Sequence, residues 1–334
     1  MRKMSKKIIV SVLTLVLTVV ALGTTTYAWF TVGGTVAVEE FEMQVTSGIG
    51  LEIAYLHQGY GEESEDLNWV KTLNKNDLYT YLYVDYYEGG NIGTIDNSLN
   101  YPNLFMGRFT MDAFTSEDGR ILKSMNEEDY SLTQANKTAG FIEFTLAFRT
   151  KEALGNGLPL YLNDVTFNSV GVDWKPEKQF TVIGDGTGVF GPGDPKRTFY
   201  AANGARISLT DNKNLSTLST IFEKATSGDD NRQLSNNPPI YDQGAHSYYS
   251  AITNVDLKDY FGEDGTVFAN YKAAPTITGI SGTQMEIAQF AAGTDYNYAQ
   301  VTIRIYLEGF DSETFNAIFE DMIEARFGFN LQLD

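Results

Sequence analysis

Alternation of apolar and polar side chains with a period of two is the strongest signal along this chain, and it predicts half-buried β-strands. Val36 and Val38 face one way, an irregularity falls at Glu39-Glu40, and Phe41, Met43 and Val45 then share one face with Glu42 and Gln44 opposite. Ile49, Leu51, Ile53 and Tyr55 form a second alternating stretch after Ser47-Gly48. Between Tyr79 and Tyr87, the residues Tyr79, Tyr81 and Tyr83 alternate with Leu82, Val84 and Tyr86, which predicts a strand with an aromatic face suited to cross-strand packing. The cleanest alternation sets Ile142, Phe144, Leu146 and Phe148 against Glu143, Thr145, Ala147 and Arg149. Leu158 to Phe167 follows after a glycine-containing turn, and the two stretches are expected to form the centre of a sandwich. Residues 276–290 carry interrupted strand material, and Val301, Ile303, Ile305 and Leu307 predict a further strand.

Helical spacing occurs in two places. Leu215, Leu218, Ile221, Phe222 and Ala225 share a helical face, with Gly228 as a stop signal. Asp311 is placed to cap a helix with the stripe Phe315, Ile318, Phe319, Met322 and Ile323, after which Gly328 precedes a last strand through Phe329, Leu331 and Leu333. The stretches 59–66, 88–103, 115–138 and 229–243 are polar or rich in Gly, Asn and Pro and read as loops or insertions. Many strands, few short helices and no βαβ rhythm predict an all-β fold: a jelly-roll-like antiparallel β-sandwich with short helices and long loop insertions.

The region before the first strand reads as a secretion signal. Arg2, Lys3, Lys6 and Lys7 precede an apolar run from Ile8 to Leu22, and Thr26-Tyr27-Ala28 supplies the small residues of a cleavage site between Ala28 and Trp29. The run is shorter than the roughly 20 residues that span a bilayer, which favours removal over anchoring. The organisation expected is a signal peptide at 1–28, an N-terminal arm or donor strand at 29–45 and a sandwich body at 46–334. Gly33 and Gly34 would act as a hinge between the aromatic head Trp29-Phe30 and the strand.

The Thr-Tyr-Ala-Trp-Phe-Thr junction at 26–31, the Val/Phe-rich strand after it and Gly-Ile-Gly-Leu-Glu-Ile at 48–53 resemble the start of the TasA/camelysin group. These are Gram-positive surface and biofilm-matrix fibre proteins exported through a SipW-type signal peptidase. Val301–Leu307 with Glu308-Gly309-Phe310-Asp311 is similar to an Arg-Ile-Trp-Leu-Glu-Gly-x-Asp signature found in surface proteins with the same junction. The resemblance implies a secreted structural subunit of an extracellular filament or matrix fibre. In such a filament the N-terminal strand of one copy completes the sheet of the next, with Val36, Val38, Phe41, Met43 and Val45 as anchors. Strand addition supplies main-chain hydrogen bonds and side-chain pockets, and head-to-tail contacts that do not close propagate into filaments. The pattern fits equally an arm that folds back onto its own body. A second functional reading is a monomeric cell-surface adhesin or carbohydrate-binding module that uses the Tyr-rich stretch and the acidic loops.

Charge narrows the partners. With 24 basic and 43 acidic residues the net charge is −19, and loss of the four basic signal residues leaves 20 minus 43, or −23. Such a surface repels nucleic acid and anionic membranes. The partners expected are further copies of the chain and other matrix or cell-surface proteins, with membrane contact only through an uncleaved signal peptide. The absence of Cys rules out disulfides, a lipid-modified Cys and a thiol nucleophile. His57 and His246 sit in unrelated, loop-like contexts, and neither an H-E-x-x-H helix nor a G-x-S-x-G elbow occurs. The run Gly184 to Pro195 reads as a turn-rich loop, since no helix opens after its GxG, and Asp185 and Asp194 lack EF-hand spacing. No enzymatic activity, cofactor or metal site is expected.

Overall fold

The computed structural model describes residues 37–45, 50–109, 111–116, 118–125, 132–137, 140–151, 157–182, 188–213, 219–223, 243–256, 276–278, 281–309, 311, 313–319 and 321–331. The N-terminal half supplies β1 (Ala37–Val45), β2 (Glu52–Leu56), β3 (Thr72–Leu73), helix α1 (Lys75–Tyr87), helix α2 (Tyr101–Met106), β4 (Ala113–Phe114), β5 (Lys123–Met125), β6 (Leu132–Gln134), β7 (Ile142–Thr150) and β8 (Leu158–Ser169). An insertion follows with β9 (Val172–Trp174), β10 (Phe180–Val182), β11 (Gly188–Phe190), β12 (Arg197–Phe199) and α3 (Ala201–Gly204). The remainder is β13 (Ala205–Asp211), β14 (Ser219–Glu223), α4 (Gly244–Thr253), β15 (Thr276–Thr278), β16 (Ser281–Ala292), β17 (Asn297–Glu308) and β18 (Met322–Leu331).

These strands form a curled, mostly antiparallel sheet, the all-β sandwich that the alternation predicts. One layer runs β16-β8-β18-β1-β3, and the other runs β2-β7-β17-β13-β14-β15. The end of β16 turns into β17 through Ala291↔Tyr298 and joins the layers on one side. Their inner faces share one core, where Phe148 of β7 meets Phe329 of β18 edge to face at 4.9 Å. Both side chains are fully buried, so this contact marks the middle of the sandwich.

Four local expectations change in the structure. Tyr79–Tyr87 is not a strand but most of α1. The Asn74 side chain accepts from the backbone N–H groups of Asn76 and Asp77, and the Asp77 carboxylate accepts from the N–H of Asn74, a capping box that starts the helix. Leu78, Tyr79, Leu82 and Tyr83 then form its buried stripe. Of the helix expected over 214–226, residues 219–223 are strand β14, paired antiparallel with β13, and the rest lies outside the described residues. The helix expected after Asp311 is a single 3-10 turn at Asn316–Ile318, and Met322 and Ile323 open β18. Gly328 lies inside that strand, at an irregularity in its pairing with β8, so it does not terminate a helix. Finally, β7 and β8 do not pair with one another: β7 lies between β2 and β17, and β8 between β16 and β18. Each occupies an interior position in a different layer.

Smaller elements cover the layers. Trp174 sits among Phe180, Phe199, Tyr248 and Phe315 in edge-to-face contacts of 5.5–6.3 Å, an extension of the main core that fixes the insertion and α4 against the sandwich. Helix α4 was not expected, although Ala245, Tyr248, Tyr249 and Ile252 have helical spacing.

Candidate functional site

The first strand lies beside the last. β1 pairs parallel with β18 from Ala37↔Met322 to Val45↔Phe329, and the register shifts between Val38 and Glu40. This is the irregularity expected at Glu39-Glu40. One extra residue there places both Val38 and Phe41 opposite the core-facing Ile323 and Ala325, whose side chains are fully buried. Met43 and Val45 follow in step beside Phe327 and Phe329, and Met43 is itself 0% exposed. Of the anchors read from the sequence, Val38, Phe41, Met43 and Val45 therefore share one register face. Val36, the hinge glycines Gly33 and Gly34, and the cleavage pair Ala28 and Trp29 lie outside the described residues.

The other edge of β1 is thinly held. It meets β3 only at Met43↔Leu73 and Gln44↔Thr72. The same short segment reaches the second layer through Val70 and Ile53, whose backbone groups exchange hydrogen bonds of 2.8 and 2.9 Å. Residues 70–73 are thus a strap that closes the curl between β1 and β2. The connection from β1 to β2 runs through residues 46–51. Gly50 stands there at φ +49, in the left-handed region, with open space around its Cα.

A polar cleft of about 220 Å³ opens where β2, α1, β7 and β17 converge. His57, just past β2, is only 4% exposed, and its Nδ1 lies 3.3 Å from Oδ1 of Asp85 on α1. The Tyr55 hydroxyl donates to the other Asp85 oxygen at 2.8 Å. Burial, then the Asp85 charge, pushes the Tyr55 pKa up, so this hydroxyl stays a donor. On the opposite wall, Glu143 accepts from Nε of Arg304 at 2.6 Å, and Thr145 and Thr302 share a hydrogen bond of 2.8 Å. The side-chain amides of Asn212 and Gln300 donate to Thr302 and Glu62 respectively.

His57 lies in the loop after β2, as expected from sequence, whereas His246 does not lie in a loop. His57 borders the cleft, while His246 is fully buried in α4, where burial lowers its pKa to about 3 and keeps it neutral. In the Tyr-rich stretch Tyr79 and Tyr83 pack inward from α1, while Tyr81 and Tyr86 are half-buried and Tyr87 is exposed. Sequence reading also missed a buried ion cluster. Arg206 of β13 lies 2.6 Å from Asp311 and 3.0 Å from Glu223, and it donates to the carbonyls of Asn203 and Ala205. Burial pulls the pKa of this guanidinium down, and Asp311, Glu223 and Glu308 together more than reverse the effect. Asp311 thereby anchors the turn after β17, in the stretch that carries the second resemblance. Among the described residues, no group of three or more His, Asp or Glu side chains is placed to hold a metal ion. No protein-family model, curated protein or solved structure matches the chain.

Proposed function

We propose that this protein is an exported structural subunit that assembles head to tail into an extracellular filament of the cell surface or biofilm matrix by handing β1 to the next copy. The observation that carries this reading is the placement of β1. It is the first strand of the body, it is parallel to the last strand, and it fills a slot lined by β18 on one side and only the short β3 on the other.

β1 precedes the other described strands, and the chain passes from it into the body through the segment before β2. A strand bound in this way can be replaced by the same strand of another copy with nearly every contact preserved, which is why domain exchange needs little free energy. Transfer from each copy to the next does not close on itself and yields a filament. The signal-like N-terminus and the acidic composition suit export and solubility before assembly.

Deletion of residues 29–40 tests this reading. The truncated chain is expected to remain a soluble, non-polymerising body, scored by electron microscopy and sedimentation. Fibres formed by the truncated chain would overturn it.

A further inference from the structure

Beyond its role in assembly, we propose that the cleft between β2, β7 and β17 binds a single neutral sugar ring, such as the terminal residue of a glycan. Its size sets the first limit. At about 30 Å³ per water, 220 Å³ holds roughly seven waters, which is room for one pyranose ring.

Its hydrogen-bonding groups set the second. The Asn212 and Gln300 amides spend N–H groups on Thr302 and Glu62, so their carbonyl oxygens remain as acceptors at the cleft. Lys137, whose ammonium lies 5.6 Å from the centre of the Tyr86 ring, contributes donors at the same cleft. Acceptors and donors in one small space suit hydroxyl groups, each of which can donate and accept. Leu56, half-buried at the rim, provides apolar surface for the C–H face of the ring.

Charge sets the third limit. Asp85 accepts from the Tyr55 hydroxyl and faces His57, and Glu143 accepts from Arg304, so both cleft carboxylates are already engaged by groups of the protein. The strongly acidic chain also repels anions at a distance. An anionic ligand is therefore disfavoured, and the hydroxyl-matching groups of the cleft suit a neutral one.

The test is saturation-transfer NMR with calorimetric titration of the full chain against methyl glycosides of glucose, galactose, N-acetylglucosamine and glucuronic acid. At least one neutral glycoside is expected to bind saturably with Kd on the order of 1 mM, the range open to a ligand of about a dozen heavy atoms. Asn212→Ala and Lys137→Ala, with unchanged thermal melting, are each expected to weaken that binding by about tenfold or more. Absence of transfer to every glycoside, binding of glucuronate alone, or binding indifferent to both substitutions would overturn the proposal. Filament formation measured on the same two variants is expected to match the wild type, so that failure of the sugar site and failure of strand exchange remain distinguishable.

Discussion

Asp112 and His246 are each shifted by burial, and they pull stability in opposite directions with pH. The Asp112 carboxyl is pushed from 3.8 to about 6, so the folded chain holds a proton that the unfolded chain releases between these values. Its stabilising contribution is complete below 3.8 and is lost as pH rises through about 6. His246 is lowered from 6.5 to about 3, so the unfolded chain binds the extra proton, and stability falls as pH drops from 6.5 toward 3. Asp112→Asn is expected to raise the melting temperature at pH 7 and leave it unchanged at pH 4, as calorimetry at the two pH values would show. Equal shifts at both would mean that the carboxyl is not titrating in the folded protein. Neither group was evident in the sequence, because burial of a lone polar side chain depends on which distant elements close over it.

Among the elements, strands whose two faces differ in chemistry could be read directly. Ile142 to Phe148 and Val301 to Leu307 alternate without interruption, and both are strands at the expected places. Where two periods overlap, local signals decided the outcome. Tyr79, Tyr81 and Tyr83 alternate like a strand, yet the Asn74/Asp77 capping box starts a helix that also brings Tyr79, Leu82 and Tyr83 to one buried stripe. Conversely, Phe315 to Ile323 has helical spacing, but Ile323, Ala325, Phe327, Phe329 and Leu331 alternate into the core, and the gain from pairing with β8 and β1 prevails. In the candidate site, the face of β1 and the bulge at Glu39 were legible because they lie within nine consecutive residues. The cleft was not, since its walls come from elements up to 240 positions apart, as the Glu62–Gln300 contact across 238 positions illustrates. Met43 is the element's best-described anchor, being fully buried in the main core. Met43→Ala is expected to lower stability by about 2–5 kcal/mol, the usual range for truncating a buried Met, in denaturant unfolding. A change below about 0.5 kcal/mol, typical of surface positions, would show that β1 is not packed in the slot in solution.

At the scale of the whole molecule, the sandwich is closed by two devices of unequal strength. On one side β16 runs continuously into β17, whereas on the other the curl depends on β1, the strap at 70–73 and a single bridge to Ile53. The weaker closure is the one that a chain terminus can open, and strand exchange would use it without disturbing the long pairings of β7, β8, β17 and β18. The absence of native cysteines makes this directly measurable. Glu42 and Arg326 are register partners across β1 and β18, so the double variant Glu42→Cys, Arg326→Cys places two cysteines on neighbouring strands at disulfide reach. Oxidation of assembled protein followed by non-reducing electrophoresis is the decisive measurement. Exchange of β1 between copies predicts a covalent ladder of dimers, trimers and higher species from the filament fraction. Filaments that yield only internally cross-linked monomer would contradict it.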